Sequence, residues 1–288
     1  MEGPRAREDV TKFVPRSTVQ ERVSGLLYYL KGRYFRTAFR YPSLFAEGLR
    51  RPDLGHLLQR AEELEFTSAV MTQMRIQSIA KQTSEFRLGG ELYPYLYSEF
   101  NHAWGTERTV EVPVIWSQVR KTPPSRVLEV GNVLSHYYPT SHRVVDKYEA
   151  GPHVINMDIV EFTPESPLDL IVSISTVEHI GWDDVPRNPR KLPETLRRLR
   201  SWLSPAGEVW ITVPIGYNRW LDQMISDGTI GARSQYFLRR LSFDNRWEEC
   251  SVEGLGGVRY GGPIDRAVDR PPFPRGNAVG IFVFGPEK

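Results

Sequence analysis

Residues 126–158 hold the side chains whose types and spacing suit a nucleotide site. Three short β-branched runs lie in this stretch, at 127–130, 144–145 and 154–155. Runs this short, bounded by Gly, Pro and Asp, are typical of strands buried on both faces of a sheet. Gly131 follows the first run and lets the backbone approach a ligand, whereas Asp146 follows the second and can accept two hydrogen bonds from a ribose diol. The spacing therefore predicts a nucleotide site at the carboxyl edge of a parallel sheet.

An ordered series of motifs resembles the class I S-adenosylmethionine-dependent methyltransferases. The chain carries Val-Leu-Glu-Val-Gly at 127–131, then an acid at the end of the second strand and another after the third. A fourth strand at 168–175 leads to Glu178-His179, and Leu-Ser-Pro-Ala-Gly at 203–207 leads into a fifth strand at 208–213. The resemblance covers residues 110–284.

The resemblance implies S-adenosyl-L-methionine as the cofactor. Its expected binding residues are Glu129, Gly131, Asn132, Asp146, Asp158 and Ser175. In the family, the acid at the position of Asp146 holds the ribose and the acid at the position of Asp158 lies near the adenine. Either aspartate can instead be a turn former at the end of a strand.

The implied fold is α/β, with a Rossmann-like seven-stranded methyltransferase sheet of order 3-2-1-4-5-7-6 and an N-terminal helical cap. The last strand is expected at 278–284, antiparallel beside strand 5, and the sixth at either 236–241 or 247–252. We divide the chain into a mobile tail at 1–17, a helical cap or lid at 18–109 and a methyltransferase-like catalytic domain at 110–288. The aromatic stretch 86–104 would form the lid, and the Gly- and Pro-rich loop 254–275 would fold over a substrate.

The first crossover departs from the pattern of the family. Its glycine-rich loop G-x-G-x-G reads Gly131-Asn132-Val133-Leu134-Ser135 in this chain, and Asp146 follows Gly131 by only fifteen positions. A helix of ordinary length, about 11 residues plus its loops, hardly fits in that interval. We therefore expect an abbreviated crossover and a different wall against the methionine end of the cofactor.

His179 is the candidate general base. Methyl transfer is an in-line displacement in which the protein aligns donor and acceptor and removes a proton. His179 follows the fourth strand, and an unperturbed imidazole pKa of about 6.5 suits proton removal at neutral pH. Glu178 would orient it. The alternative is that this Glu-His pair supports the cofactor loop. Arg108 could clamp a carboxylate or phosphate of the substrate, although a structural ion pair is the favoured interpretation.

Composition limits the class of protein. The chain has 288 residues, 40% of them hydrophobic and 25% charged, and a net charge of +2, which does not suggest a nucleic-acid partner. Cys250 is the single cysteine, so neither a disulfide framework nor a cysteine-rich metal site is expected, and the histidines lack metal-ligand spacing. With no apolar run of about 18 residues and no signal-peptide pattern, we expect a cytoplasmic protein without integral membrane segments.

Three functional hypotheses are consistent with these patterns. The first is an S-adenosylmethionine-dependent methyltransferase that methylates an oxygen of a small molecule or of a sugar-containing (glycan) metabolite. The second is a non-catalytic binding or scaffold protein that keeps the fold. The third is a peripheral membrane enzyme, because residues 31–51 mix arginines with aromatic residues, although a helical cap is the favoured interpretation of that segment. The acceptor atom and the oligomeric state stay open.

Overall fold

The computed structural model describes Ala69, Thr72, Ile76 and residues 84–151, 153–241, 245–261 and 275–287. The chain divides into two compact units, Met1–Ala69 and Val70–Lys288. The predicted tail at 1–17, the segment at 31–51 and nearly all of the predicted cap helices lie outside the described residues. Every strand of the main sheet belongs to the second unit.

Strands and α-helices alternate through much of the second unit. In chain order they are β1 Glu85–Leu88, β2 Glu91–Pro94, α1 Arg108–Val119, β3 Val127–Val130, β4 Arg143–Asp146, β5 Val154–Asn156, β6 Leu168–Ile174, α2 Lys191–Ser201, β7 Leu203–Pro214, α3 Arg219–Ser226, β8 Ser234–Arg240, β9 Trp247–Cys250 and β10 Ala278–Phe284.

The main sheet has the order β5-β4-β3-β6-β7-β10-β8-β9. Strands β3 to β7 pair in parallel, whereas β10 pairs antiparallel with both β7 and β8. Predicted strands 1 to 5 correspond to β3 to β7, strand 6 to β8 and strand 7 to β10, so the predicted fold class is confirmed. The edge strand β9 is an addition. Both segments proposed for strand 6 form strands, and they pair with each other.

Helices cover both faces of the parallel part of the sheet. On one face, Val112, Ile115 and Val119 of α1 pack with the buried β6 side chains Leu170 and Val172. On the other face, a larger cluster joins α2, α3 and the opposite side chains of β6 and β7. Burial on both faces explains why nearly every residue of β3, β6 and β10 is buried, rather than every second one.

The predicted lid at 86–104 contains a β-hairpin, which we did not expect. β1 and β2 pair antiparallel around Gly89 and Gly90, whose φ angles are +59° and +87°. Two adjacent residues with positive φ form the tight turn that best joins antiparallel strands, so the Gly89-Gly90 pair is itself a sequence pattern that predicts a hairpin. Phe86, Leu88 and Tyr93 pack with α1 and with β8 to β10. The hairpin therefore belongs to the sheet unit, and the proposed boundary after residue 109 falls inside α1.

The crossover from β3 to β4 is short, as predicted. It contains a single 3₁₀ turn, Leu134–His136, and no α-helix. The loop after β5 likewise reaches β6 without an α-helix. Both connections leave the carboxyl edge of the sheet open above β3 and β4.

Candidate active site

Two pockets open at the carboxyl edge of the sheet. β3 lies between β4 and β6, so the chain leaves β3 toward one side and later returns on the other, which is where open α/β sheets bind ligands. The edge pocket is lined by Gly131, Asp146, Met157, Asp158, Ile180 and Lys191 among others. The acidic pocket is lined by Glu107, Arg108, Glu178, Tyr217 and Tyr260 among others. His179 lines both pockets and so marks their junction.

Gly131 brings the backbone close to the edge pocket. Its φ is +89°, a region that favours glycine, and a Cβ there would lie 2.2 Å from the hydroxyl oxygen of Thr176. Thr176 donates that hydroxyl to the carbonyl of Ile174 at the end of β6. Glycine is therefore required at 131 for two separate reasons, backbone conformation and close approach.

Glu129 supports the turn after β3 and does not line either pocket. One carboxylate oxygen accepts hydrogen bonds from the amides of Val133 and Leu134, at 2.9 and 2.8 Å. The other lies 2.8 Å from Nε2 of His142. The carboxylate is fully buried and all its contacts are internal, so Glu129 shapes the shortened loop instead of contacting a ligand, which corrects its expected direct role.

Asp146 lines the edge pocket as predicted, but much of its hydrogen-bonding capacity is already used. Its Oδ1 accepts from the amides of Tyr148 and Glu149, and its Oδ2 accepts from the amide of Asn132. A carboxylate offers about four acceptor positions. One position at Oδ2 is therefore left for a ribose hydroxyl, not the two that the sequence suggested.

Asp158 is held in a cationic setting at the other end of the edge pocket. Its Oδ2 lies 3.1 Å from Nζ of Lys147 and 3.2 Å from Nζ of Lys191. Burial raises the pKa of Asp158, but the Val160 amide and the two lysines outweigh that effect and hold the pKa below its usual value. Lys191 also contacts Asp184 at 2.9 Å, so the start of α2 is tied to the pocket floor.

Asn132 and Ser175 do not line the edge pocket. The side chain of Asn132 is engaged with Glu149 and Ser135. Ser175 lines the acidic pocket instead, with φ at +39° and its hydroxyl donated to Glu111 at 2.7 Å. A left-handed conformation at a non-glycine residue is sparsely populated, and such residues cluster at functional sites.

The acidic pocket gathers carboxyl groups around one guanidinium. Arg108 contacts Glu111 at 3.1 Å across one turn of α1, as the sequence predicted. Glu107 accepts a hydrogen bond from the amide of Gly276. Glu178 is 1% exposed, and its Oε2 has no hydrogen-bond partner among the described residues. Burial first, and then the nearby Glu111 and Glu107, raise the pKa of Glu178 well above its usual value.

His179 is oriented by a residue that the sequence interpretation did not identify. Its Nδ1 lies 2.6 Å from Oδ2 of Asp183, and the Tyr217 hydroxyl lies 3.0 Å from the same oxygen. Because Asp183 accepts a hydrogen bond from the N–H at Nδ1, Nε2 of the neutral imidazole is left as the acceptor nitrogen. Nε2 lies 3.6 Å from Glu178, and the imidazole side chain is 45% exposed. His179 can therefore take a proton from a group at the junction of the pockets.

Several site residues were missed for identifiable reasons. Asp183 stands four residues after His179, a spacing that could have indicated a contact. Lys147 directly follows Asp146, but no pattern shows that it reaches back to Asp158. Glu107 and Tyr260 come from segments far apart in sequence and meet only through the fold. Tyr260 belongs to the predicted substrate loop, whose residues 262–274 lie outside the described part.

Two negative findings apply to the described residues alone. They contain no group of three or more His, Cys, Asp or Glu side chains that could hold a metal ion. No helix among them is both long enough and apolar enough to cross a bilayer.

Solved structures similar to this chain include the N-methyltransferase NodS from Bradyrhizobium japonicum WM9, crystallised with S-adenosyl-L-homocysteine. NodS is 14% identical, the match covers 63% of this chain and 88% of NodS, and the TM-score is 0.36. An S-adenosylmethionine-dependent methyltransferase from Clostridium acetobutylicum ATCC 824 is 11% identical, over 60% of this chain and 89% of that protein, with a TM-score of 0.32. The CcbJ methyltransferase from Streptomyces caelestis is 10% identical, over 60% and 88%, with a TM-score of 0.31.

No protein-family model matches this chain, and no curated protein matches it. The identities and TM-scores to the solved structures are low, so these similarities carry no argument about the reaction. The fold class is assigned from the strand order of the main sheet, and the two pockets are the features that bear on function.

Proposed function

We propose that this chain is an S-adenosylmethionine-dependent methyltransferase that acts on a small molecule. The observation that carries the proposal is that two different pockets meet at His179, at the carboxyl edge of a sheet with the methyltransferase strand order. The edge pocket has the features that suit an adenosine group. The acidic pocket then lies where an acceptor would meet a donor held in the edge pocket.

The lining of the edge pocket suits the adenosine part of the cofactor chemically, and its cavity of about 90 Å³ would have to widen to hold the whole group. A Cβ at Gly131 would collide with Thr176, which also lines the pocket. Met157, Ile159 and Ile180 offer apolar surface to a purine. Asp146 retains one acceptor position for a ribose hydroxyl, so the cofactor would gain at least one charge-assisted hydrogen bond there.

When bound, S-adenosyl-L-methionine supplies a methyl group already activated by its positive sulfur. The protein's own contribution is to align the acceptor, exclude water and remove a proton. Asp183 fixes the imidazole of His179 so that Nε2 faces the junction of the pockets. We assign His179 as the residue that takes the proton from the acceptor, with Glu178 beside it in the acidic pocket.

A small-molecule acceptor suits the size of the acidic pocket. Its volume is about 330 Å³, within the usual range of small-molecule sites. Tyr217 and Tyr260 line it and pack edge to face, with ring centroids 5.1 Å apart. An oxygen acceptor on a small or sugar-containing molecule stays a prediction from the sequence, and cytoplasmic localisation stays one too.

Calorimetric titration with S-adenosyl-L-homocysteine tests the proposal. Asp146→Asn should weaken binding about tenfold or more, because its amide cannot accept at the position left for the ribose. Asp227→Asn is the matched control, since Asp227 also caps a turn by accepting the amide of Thr229, at an exposed position that lines neither pocket. Saturable binding that weakens in the first variant alone supports the proposal. Absence of binding, or equal effects in both variants, would rule out an adenosine site in the edge pocket.

The scaffold hypothesis is the second candidate, and one observation favours it. Asp146 already accepts hydrogen bonds from the amides of Asn132, Tyr148 and Glu149, as expected if the loop had closed on itself. The two hypotheses differ in transfer. Slow release of the methyl group from labelled S-adenosylmethionine to water or to acceptor mixtures, dependent on His179, would favour the enzyme. Tight cofactor binding with no transfer to any acceptor would favour the scaffold.

A further inference from the structure

We infer that the acidic pocket seats the positively charged nitrogen of an amine-bearing acceptor, held by Glu107 and Glu178 and faced by the rings of Tyr217 and Tyr260. This inference rests on the proposed function and names the substrate class for the same site. It leaves open whether the nitrogen or a neighbouring oxygen receives the methyl group.

The charge balance of the pocket supports a cationic ligand. Glu107, Glu111 and Glu178 share one guanidinium, that of Arg108, which is paired with Glu111 at 3.1 Å. Glu111 does not line the pocket, whereas Glu107 and Glu178 do. Oε2 of Glu107 accepts a hydrogen bond from the backbone amide of Gly276, and this neutral donor does not cancel the charge of the carboxylate. Glu107 has no ion-pair partner among the described residues, and the nearest basic group to Glu178 in an ion-pair contact is Nε2 of His179, 3.6 Å away.

Two further arginines lie near this wall without lining the pocket. Arg240 donates to the carbonyls of Gly105 and Gly276 and to the side chain of Asn245. Arg275 donates to the carbonyl of Gly105. Both guanidinium groups thus bind backbone carbonyls of residues next to the pocket, and neither arginine belongs to its lining.

An unsatisfied buried atom points to the ligand independently of the charge count. Oε2 of Glu178 is inaccessible to solvent and lacks a hydrogen-bond partner within the described part of the chain, yet Glu178 lines the cavity. Leaving a buried polar atom unpaired is costly, so native proteins rarely do so without a functional reason. Burial raises the pKa of Glu178 in the unliganded protein, and an ammonium group beside it, with three donors and a positive charge, would favour the ionised carboxylate.

The aromatic wall recognises the same kind of group. Tyr217 packs edge to face against both His179 and Tyr260, with centroid distances of 4.7 and 5.1 Å. Rings fixed beside carboxyl groups attract cations through their electron-rich faces, and the attraction grows where water is excluded. A neutral hydroxyl ligand would gain neither this cation–π contact nor the electrostatic attraction to the carboxylate of Glu107.

The test compares two ligands of equal size, benzylamine and benzyl alcohol. Both are titrated by calorimetry into the full chain saturated with S-adenosyl-L-homocysteine, so that the cofactor's own amino group cannot account for the result. Benzylamine should bind at least about tenfold more tightly than benzyl alcohol. Glu178→Gln, which keeps the shape, should reduce this ratio to about threefold or less, and Tyr260→Leu should also reduce it. Glu165→Gln changes an exposed glutamate and should leave the ratio unchanged.

The other outcomes overturn either this inference or the methyltransferase proposal, and they can be told apart. Equal affinities, no binding of benzylamine at about 10 mM, or a preference that survives both pocket variants would exclude a cation site. Loss of benzylamine binding on adding S-adenosyl-L-homocysteine would assign the pocket to the tail of the cofactor. If S-adenosyl-L-homocysteine fails to bind while the Glu178-dependent preference for benzylamine persists, the methyltransferase proposal fails and the cation site stands.

Discussion

Gly131 is the residue at which one added methyl group should perturb the edge pocket most. With φ at +89°, an alanine there costs about 1–2 kcal/mol of backbone strain. Its Cβ would also lie 2.2 Å from Oγ1, 2.8 Å from Cγ2 and 2.9 Å from Cβ of Thr176. Overpacking of this kind costs about 1–3 kcal/mol. Gly131→Ala should therefore lower the free energy of unfolding by about 2–5 kcal/mol in total.

Two companion variants separate strain from crowding. Gly228 has φ at +73°, and no described atom lies within 4 Å of where its Cβ would stand. Gly228→Ala should therefore cost the strain alone, about 1–2 kcal/mol. Thr176→Ala removes the two atoms closest to the new Cβ, so in the double variant it should recover about 1–2 kcal/mol of the loss at Gly131.

Urea unfolding followed by circular dichroism measures the wild type, the three single variants and the double variant, and an unchanged slope confirms that stability alone has changed. The reasoning is refuted if Gly131→Ala costs no more than Gly228→Ala. It is also refuted if the effects at 131 and 176 add to within about 0.5 kcal/mol, since additivity would mean that the two residues do not touch.

Three other predictions concern buried or paired carboxyl groups. Glu129→Gln should lower the free energy of unfolding by about 1–3 kcal/mol, because its carboxylate accepts two buried amides and contacts His142; a urea-measured loss below about 0.5 kcal/mol would contradict this. The Arg126 guanidinium, with the hydroxyl of a neighbouring serine, lowers the pKa of Asp169 from 3.8 to about 2. Since the folded pKa is the lower one, this pair stabilises the protein above about pH 4 and the stabilisation is lost as the pH falls toward about 2. The side chain of Asp169 is 41% exposed, so the pair contributes at most about 1 kcal/mol to stability. The melting temperatures of wild type and Asp169→Asn, plotted against pH, should therefore converge at low pH instead of running parallel. The pKa of Glu178 is raised by burial, so its protonated form favours folding and stability declines as the pH rises above its unfolded value of 4.5. Glu178→Gln should therefore raise the melting temperature more at about pH 9 than at about pH 5, and an equal change at both would refute the buried, uncharged state.

The sequence predicted the sheet well because its strands are fully buried. The β-branched runs at β3, β4 and β5 and the apolar run at β10 leave little choice of element, and the interval of fifteen positions from Gly131 to Asp146 excludes a full crossover helix. The extra strand β9 was harder to predict, because Trp247 is the only one of its four residues that is buried and the sequence offered it only as a rival of β8.

The site was less predictable, because side-chain partners depend on tertiary contacts. Asp146 was recognised by its position in the sequence. The three hydrogen bonds that its carboxylate accepts from loop amides result from how the turn after β3 folds. Glu129 looked like a ligand contact and proved to be a buried support for that turn. The acidic pocket combines α1, the end of β6 and the loop at Tyr260, which no local pattern connects.

The most direct test of the central claim is a crystal structure of the full chain with S-adenosyl-L-homocysteine. The proposal predicts the adenosine group in the edge pocket, in contact with Met157 and Ile180, with one ribose hydroxyl on Asp146. The sulfur should lie at the junction beside His179 and point toward the acidic pocket. A ligand bound elsewhere, or crystals grown with saturating ligand that contain none, would contradict the assignment of the carboxyl edge as a methyl-transfer site.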